Sequence, residues 1–464
     1  MFKRYLLWFA HDHASIQIQP FRNAEIASIV KLLGVSFNII GENRDDKPFL
    51  IVEMKNDDDL KKVVSRSFTM RYALELWGHG RTESEFHQNL KNFYKNHKYD
   101  ETQTFKINVE SFNNHIEMSE KVKKIDALKY LAFKGKVELK NPQNEFYYIE
   151  YFGHDKGFAT ESPLDYIFGR WIVNSNRSII KEMSLKTRYF IGNTTMDPFL
   201  AFLMANQGLV KPHDLVFDPF VGSGGILCAC ARFGAYVMGT DIDFLMLHGR
   251  TKPSRKYEKA RKTGESILAN LKQYNCDQFY VDALVADFSA EIWSDKLQFD
   301  SIICDPPYGV RESNAKVEKK EARKPDAYIS VEHYPSTSPY QLSSMFKDLI
   351  KFSVKHLKLG GRLVFWLPIY REDYSEKSLP NHKSLKLVAN CEQILSSATS
   401  RRLLTYEKIS NEIENELDEG LEELCIDNFR QKWFAHAEEK RLKCSKSDDR
   451  QRVKKETAQS AIQS

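Results

Sequence analysis

The stretch CDPPYG, residues 304–309, follows directly on the apolar run FDSII. A carboxylate, two prolines and a tyrosine at the mouth of a buried strand suit the capture of a planar amine. An amine on an aromatic ring or amide delocalises its lone pair and is a poor nucleophile. A site activates it by accepting hydrogen bonds from both its protons and aiming the lone pair at an electrophilic methyl group. Asp305 offers a carboxylate for one proton and the carbonyl of Pro306 is available for the other. Proline fixes φ near −65° and biases the preceding residue to extended geometry, so Pro306 and Pro307 stiffen the fork. Tyr308 offers a face for a flat base, and Gly309 lets the chain turn away. Alone, such a string is equally an ordinary proline turn; its place in the chain decides.

A second chemical feature lies upstream. LVFDPFVGSGG ends a short apolar strand at Asp218 and continues into a loop with Gly222, Gly224 and Gly225. In open parallel sheets the first strand-to-helix turn is the usual nucleotide site. The dinucleotide spacing GxGxxG would need glycine at 227, where Leu227 stands, which argues against a dehydrogenase. GTDID ends the next strand at Asp241, placed to accept from ribose hydroxyls, and ALVADF reaches Asp287, placed for an adenine amine. Taken singly, each aspartate could equally cap the helix that follows. In series with the glycine loop and CDPPYG, the three point to an adenosine cofactor without a diphosphate, S-adenosylmethionine.

These residues need a scaffold, and the chain supplies one. From Leu209 strands alternate with helices: LVFDPF, a helix from the glycine turn, YVMGTDID, ALVADF, FDSIICDPP, the long helix PYQLSSMFKDLIKFSVKHLKLGG with a Gly-Gly stop, then RLVFWLP. That alternation predicts an α/β, Rossmann-like parallel sheet, with LVANCEQIL and RRLLTYEK as a closing pair. The segment 310–338 reads as a charged loop. Before residue 155, FLIVEM, FKINVESF and EFYYIEYF read as strands and EMSEKVKKIDALKYLAF as a helix, an α+β domain. The expected organisation is an N-terminal domain at 1–155, a linker and pre-motif segment at 156–208, the catalytic domain at 209–410, and a charged helix running into a disordered tail at 411–464.

At 464 residues two domains are expected. A net charge of +5 permits an anionic partner without requiring one. The seven cysteines make no CxxC pair and read as reduced thiols, with no metal site expected. No apolar run is long enough for a membrane span and the start lacks a secretion signal, so a cytoplasmic protein without a membrane partner is expected.

The order RYFIGNTTMDPFLAFLMANQG, LVFDPFVGSGG, GTDID, DPPYGVRE resembles the catalytic subunit of the eukaryotic and archaeal tRNA guanine-10 N2-methyltransferase family. YALELWGHG and KGKVELKNPQNEFYYIEYF are similar to that family's THUMP-containing RNA-binding region, and the resemblance runs to about Lys408. It implies a class I methyltransferase that uses S-adenosylmethionine to methylate the 2-amino group of guanosine 10 in tRNA. It places Asp218, Gly222 and Gly224 in the donor pocket, Asp241 on the ribose, Asp287 on the adenine, Asn193 and Thr194 near the methionine end, and Asp305, Pro306, Pro307 and Tyr308 on the guanine. It also implies a heterodimer with a small zinc-containing activator subunit. For RNA contact the candidates are Arg66, Arg71, Lys134, Lys136 and Lys140, each equally readable as a solvated charge. DNA or protein-glutamine methylation, or an inactive RNA-binding scaffold, remain the rival readings.

Overall fold

The computed structural model describes residues 2–13, 16–41, 47–97, 99–153, 159–255, 257–318, 335–411 and 426–438. The chain divides into two units, Met1–Glu182 and Met183–Ser464.

The first unit is built on a seven-stranded sheet. Its elements are β1 (Lys3–Phe9), α1 (Gln19–Leu33), β2 (Phe37–Ile39), β3 (Phe49–Met54), α2 (Asp57–Arg66), β4 (Met70–Gly80), α3 (Glu83–Asn96), β5 (Phe105–Phe112), α4 (Met118–Asp126), β6 (Asn144–Tyr151) and β7 (Asp165–Asn174). The strand order is β2-β3-β1-β4-β7-β6-β5, antiparallel throughout except for the β5–β6 pair. Side chains alternate between faces along a strand. Tyr5, Leu7 and Phe9 of β1 accordingly join α1 and α2 in one core, while Leu6 and Trp8 join Tyr72, Leu74 and Ile149 in another. The side chain of Asn56 accepts from the amide of Asp59 at 2.8 Å and starts α2, whose first turn carries three aspartates that suit its dipole. The strand β7 lies in the stretch assigned by sequence to a linker; it is central to this sheet, between β4 and β6.

The second unit carries α5 (Pro198–Gln207), β8 (Leu215–Asp218), α6 (Gly225–Arg232), β9 (Tyr236–Asp241), α7 (Ile267–Gln273), β10 (Tyr280–Val285), β11 (Phe299–Cys304), α8 (Leu342–His356), β12 (Leu357–Tyr370), β13 (Leu385–Ile394) and β14 (Thr399–Lys408). The order is β10-β9-β8-β11-β12-β14-β13, with the first five parallel and β14 antiparallel to both its neighbours. This is the predicted doubly wound sheet and closing pair. Every residue of α5 is buried, and Asp197 accepts from the amide of Phe199 to cap it, so the stretch before Leu209 is core and not connector.

Two further differences concern ends. The helix α8 stops at His356 and LKLGG is already strand; Gly360, at φ +78°, takes up a register shift against β11. In the charged C-terminal stretch, Ile426 and Phe429 are buried in the same core as α8 and β12, Phe429 being the first residue of a helix at 429–438. Asp427 accepts from the amide and hydroxyl of Ser343 at 2.9 and 2.7 Å, fastening this segment to the start of α8. The rest of the tail expected to be disordered lies outside the described residues.

Candidate active site

The strand order reverses at β8, with β9 on one side and β11 on the other, and crevices at such switch points open beyond the carboxyl ends of the strands. A cleft of about 420 Å³ lies there, lined by Asn193, Asp241, Asp287, Asp305, Pro307 and Arg311 among others. Of the donor-site residues expected from sequence, Asn193, Asp241 and Asp287 reach this cleft. Asp218, Gly222, Gly224 and Thr194 do not line it.

The three strand-end acids share one local geometry. Asp218 accepts from the amide of Phe220 at 3.0 Å, Asp241 from Asp243 at 2.9 Å, and Asp287 from Ser289 at 2.8 Å. Each carboxylate thus bonds the backbone two residues on and turns the chain out of its strand. The second oxygen of Asp241 accepts from the amide of Gly222 at 2.8 Å, and that of Asp287 from the amide of Val317 at 2.7 Å. Asp241 therefore moulds the glycine loop, where Gly222 and Gly224 sit at φ +50° and +76°.

Burial shapes the charge of these acids. Asp218 is fully enclosed, and its carboxyl is pushed well above the usual range by desolvation, with Asp241 and Asp305 adding repulsion. Asp241 is pushed up to about 6, again by burial first, against the two amides that favour its ionised form. The pre-strand segment is fastened to the glycine loop: the hydroxyls of Thr195 and Ser223 lie 2.6 Å apart. The hydroxyl of Thr194 donates to Glu312, so Thr194 ties that segment to the loop after the clamp instead of facing the cleft.

At the clamp, Pro306 is buried, and Asp305 and Pro307 face the cleft. Tyr308 donates its hydroxyl to Asp305 Oδ1, and its ring meets Phe429 edge-on with centroids 6.4 Å apart. Asp305 Oδ2 accepts from Arg401 Nη1 at 3.0 Å. Sequence reasoning missed Arg401, which lies in RRLLTYEK; an arginine at the start of a closing strand was the available signal. It missed Phe429 too, although the apolar positions 426, 429 and 433 keep helical spacing.

The RNA candidates all belong to the first unit. Lys134, Lys136 and Lys140 are exposed, with Lys134 paired to Glu101 at 2.9 Å. The Arg71 guanidinium is 5.9 Å from the Tyr72 ring centroid, and Arg66 closes α2. Among the described residues no group of three or more His, Cys, Asp or Glu side chains is placed to hold a metal, and no helix is long and apolar enough to cross a membrane.

Comparison with known proteins divides the chain in a similar way. Residues 3–177 match the family described as Tmrp11 THUMP N-terminal domain, and residues 186–321 match the RMKL-like methyltransferase domain. The chain is 46% identical over 411 residues to the tRNA (guanine(10)-N(2))-methyltransferase TRMT11 of Gallus gallus, covering 88% of each protein. It is 42% identical to the Homo sapiens protein of that name, over 96% of this chain and 98% of that one. The tRNA (guanine(10)-N(2))-methyltransferase of Saccharomyces cerevisiae is 33% identical over 93% of this chain and 99% of its own length.

Proposed function

The chain belongs to the tRNA (guanine(10)-N(2))-methyltransferase family, and we propose from that premise how its residues carry out the reaction. The enzyme transfers a methyl group from S-adenosylmethionine to the exocyclic 2-amino group of guanosine 10 in tRNA. The observation that carries the reading is the convergence of Asp241, Asp287 and Asp305 on one cleft at the reversal of a parallel sheet.

The cleft suits the donor: its volume is within the range of small-molecule sites, and its acids are held by backbone amides at fixed positions. Asp241 is assigned to the ribose hydroxyls, Asp287 to the adenine edge, and Asn193 to the methionine end. Gly222 and Gly224 shape the loop, and Asp218 supports it from below. When bound, the donor supplies an electrophilic methyl group; everything else is positioning by this chain. Asp305 and the Pro306 carbonyl accept hydrogen bonds from the two N–H groups of the amine, with the ring of Tyr308 against the base. As the new nitrogen–carbon bond forms the sulfur–methyl bond breaks, its electron pair returning to sulfur to leave S-adenosylhomocysteine, while the nitrogen gains positive charge and loses one proton to Asp305 or water. Holding the pair in line can contribute about 7–11 kcal/mol, and acceptors fixed in advance add to this.

The first unit is assigned to tRNA through the candidate cations Arg66, Arg71, Lys134, Lys136 and Lys140, all but Arg66 of them exposed. The small zinc-containing activator is assigned to β10. Among the described residues that strand pairs with β9 alone, and it exposes Val281, Leu284 and Val285, an apolar edge of the kind proteins otherwise cover. The five cysteines among the described residues are buried and free, which suits a reducing compartment, and the cytoplasm is proposed.

The test is incubation of the chain, alone and with its activator, with labelled donor and unmodified tRNA, followed by nucleoside analysis. N2-methylguanosine is expected. Methyladenosine, labelled protein or no label would each overturn the assignment.

A further inference from the structure

The carboxylate of the clamp is tied to a cation that no motif announces. We infer that Arg401 is a positioning residue for methyl transfer: it fixes Asp305 through Oδ2, so that Oδ1 is the oxygen offered to the target amine. The inference rests on the reading of Asp305 as the amine's acceptor.

Arg401 is itself held on several sides. Its position on β14 is pinned by two ladders, opposite Pro368 of β12 and Gln393 of β13. Its Nε donates to Gln393 Oε1 at 2.8 Å, and its Nη1 donates to Asp305 Oδ2 at 3.0 Å. The guanidinium carbon sits 4.1 Å from the ring centroid of Trp366, whose indole is wholly buried and donates to Met204 Sδ at 3.2 Å. Only 14% of the Arg401 side chain and 22% of the Asp305 side chain are exposed. A planar cation gripped at Nε and stacked on an indole presents Nη1 in one direction only. The carboxylate it meets is thereby fixed about its own bond.

The two oxygens of Asp305 consequently have different standing. Oδ2 faces a permanent, charge-assisted donor that belongs to the sheet. Oδ1 faces the hydroxyl of Tyr308, a neutral donor on the clamp loop itself. An incoming amine can take the place of the phenol at Oδ1 with no change in net charge, whereas displacing Arg401 would strand a largely buried cation. The hydroxyl of Tyr308 thus holds the oxygen that the substrate will use, and when displaced from it the phenol keeps the Arg401 guanidinium as a hydrogen-bond partner. A purely structural ion pair joining β11 to β14 would need no such asymmetry.

The test compares kinetics with binding in the preparation that makes N2-methylguanosine. Arg401→Ala should lower kcat about 100-fold, the scale of a misplacement near 1 Å. The KM for tRNA and the dissociation constant for S-adenosylhomocysteine should stay within about twofold, since the lost contact acts in the transition state. Guanidinium ion at tens of millimolar should restore part of the turnover of Arg401→Ala and none of that of Asp305→Ala. If the alanine variant folds poorly, Arg401→Lys covers the case. It keeps a cation and a stem on Trp366, but one ammonium cannot reproduce the fork, and about tenfold loss in kcat is expected. Wild-type kcat in both variants would overturn the inference while leaving the proposed reaction intact. So would a loss shared by donor affinity and melting temperature with no rescue by guanidinium. Absence of N2-methylguanosine from the wild-type enzyme would overturn the reaction, and the inference with it.

Discussion

The proposed ribose contact at Asp241 makes donor affinity depend on pH, in a direction the structure fixes. Desolvation is the largest influence on this carboxyl and pushes it up to about 6 from an ordinary 3.8; Glu312 and Asp243 add repulsion, and amides of Gly222 and Asp243 oppose it. Because the folded value is raised, the free enzyme gains stability from this group at low pH and loses it as pH rises from about 4 through about 6. Across that interval the loss is about 3 kcal/mol. Bound ribose hydroxyls are donors, and a carboxylate accepts from two of them where a carboxylic acid must spend one oxygen as a donor. Donor binding therefore selects the ionised form. The ionised fraction is about one-tenth near pH 5 and about nine-tenths near pH 7, so the apparent dissociation constant should fall about tenfold between them. Calorimetric titration with S-adenosylhomocysteine across this range reads the effect directly, with proton release on binding as a second signal. Asp241→Asn should bind more weakly and show no slope, because its amide cannot accept from both Gly222 and Asp243. A flat profile in the wild type, affinity that weakens as pH rises, or an unchanged slope in Asp241→Asn would refute the assignment.

Other expectations are simpler to state. Asp305→Ala should abolish methyl transfer while donor affinity stays within about twofold; retained turnover in a single-turnover assay would remove Asp305 from the mechanism. In Gly224→Ala the new residue must hold φ +76° and place its Cβ 2.7 Å from Ile267 Cγ2. A cost of about 1–2 kcal/mol in unfolding free energy is expected from the backbone alone, and Ile267→Ala in the same chain should not recover it; full recovery would show that crowding, not φ, decides. Replacing both Leu284 and Val285 of β10 with lysine should abolish co-purification with the proposed activator subunit and leave donor binding unchanged. Undiminished co-purification would move the interface elsewhere.

What could be read from the sequence was whatever is local. Four of the five parallel strands of the second unit, β8 to β11, announce themselves as short apolar runs that stop at or just before an aspartate, and those aspartates face or brace the cleft. The contents of 156–208 were not legible in this way. DYIFGRWIVN becomes the central strand β7 because β4 and β6 flank it, and its partner in β4 is 95 residues away where Glu75 meets Arg170. The Gly-Gly pair at 360–361 was an ambiguous signal, since glycine both ends helices and absorbs a shift of register. Arg401 lay beyond any motif: it reaches Asp305 across 96 positions of sequence, and only the pairing of β14 with β12 brings the two together. The tRNA surface was least legible, since exposed lysines carry charge without saying what they touch.

The aspartates posed an apparent choice in the sequence, turn-capping residues or cofactor ligands, and the geometry shows why the two roles are compatible. A carboxylate that bonds the amide two residues on becomes rigid, and a rigid acceptor is what a positioned ligand needs. The difficulty such a design creates is electrostatic, because like charges gathered at one crevice raise one another's proton affinity. The protein meets it in more than one way. Asp218, wholly enclosed, is pushed toward its neutral form and serves the turn alone. Asp305 has a cation brought to it from β14. Asp287 spends both oxygens on backbone amides. Asp241 also has an amide on each oxygen, yet burial still pushes its carboxyl up to about 6, which leaves its charge open to pH and to what binds against it.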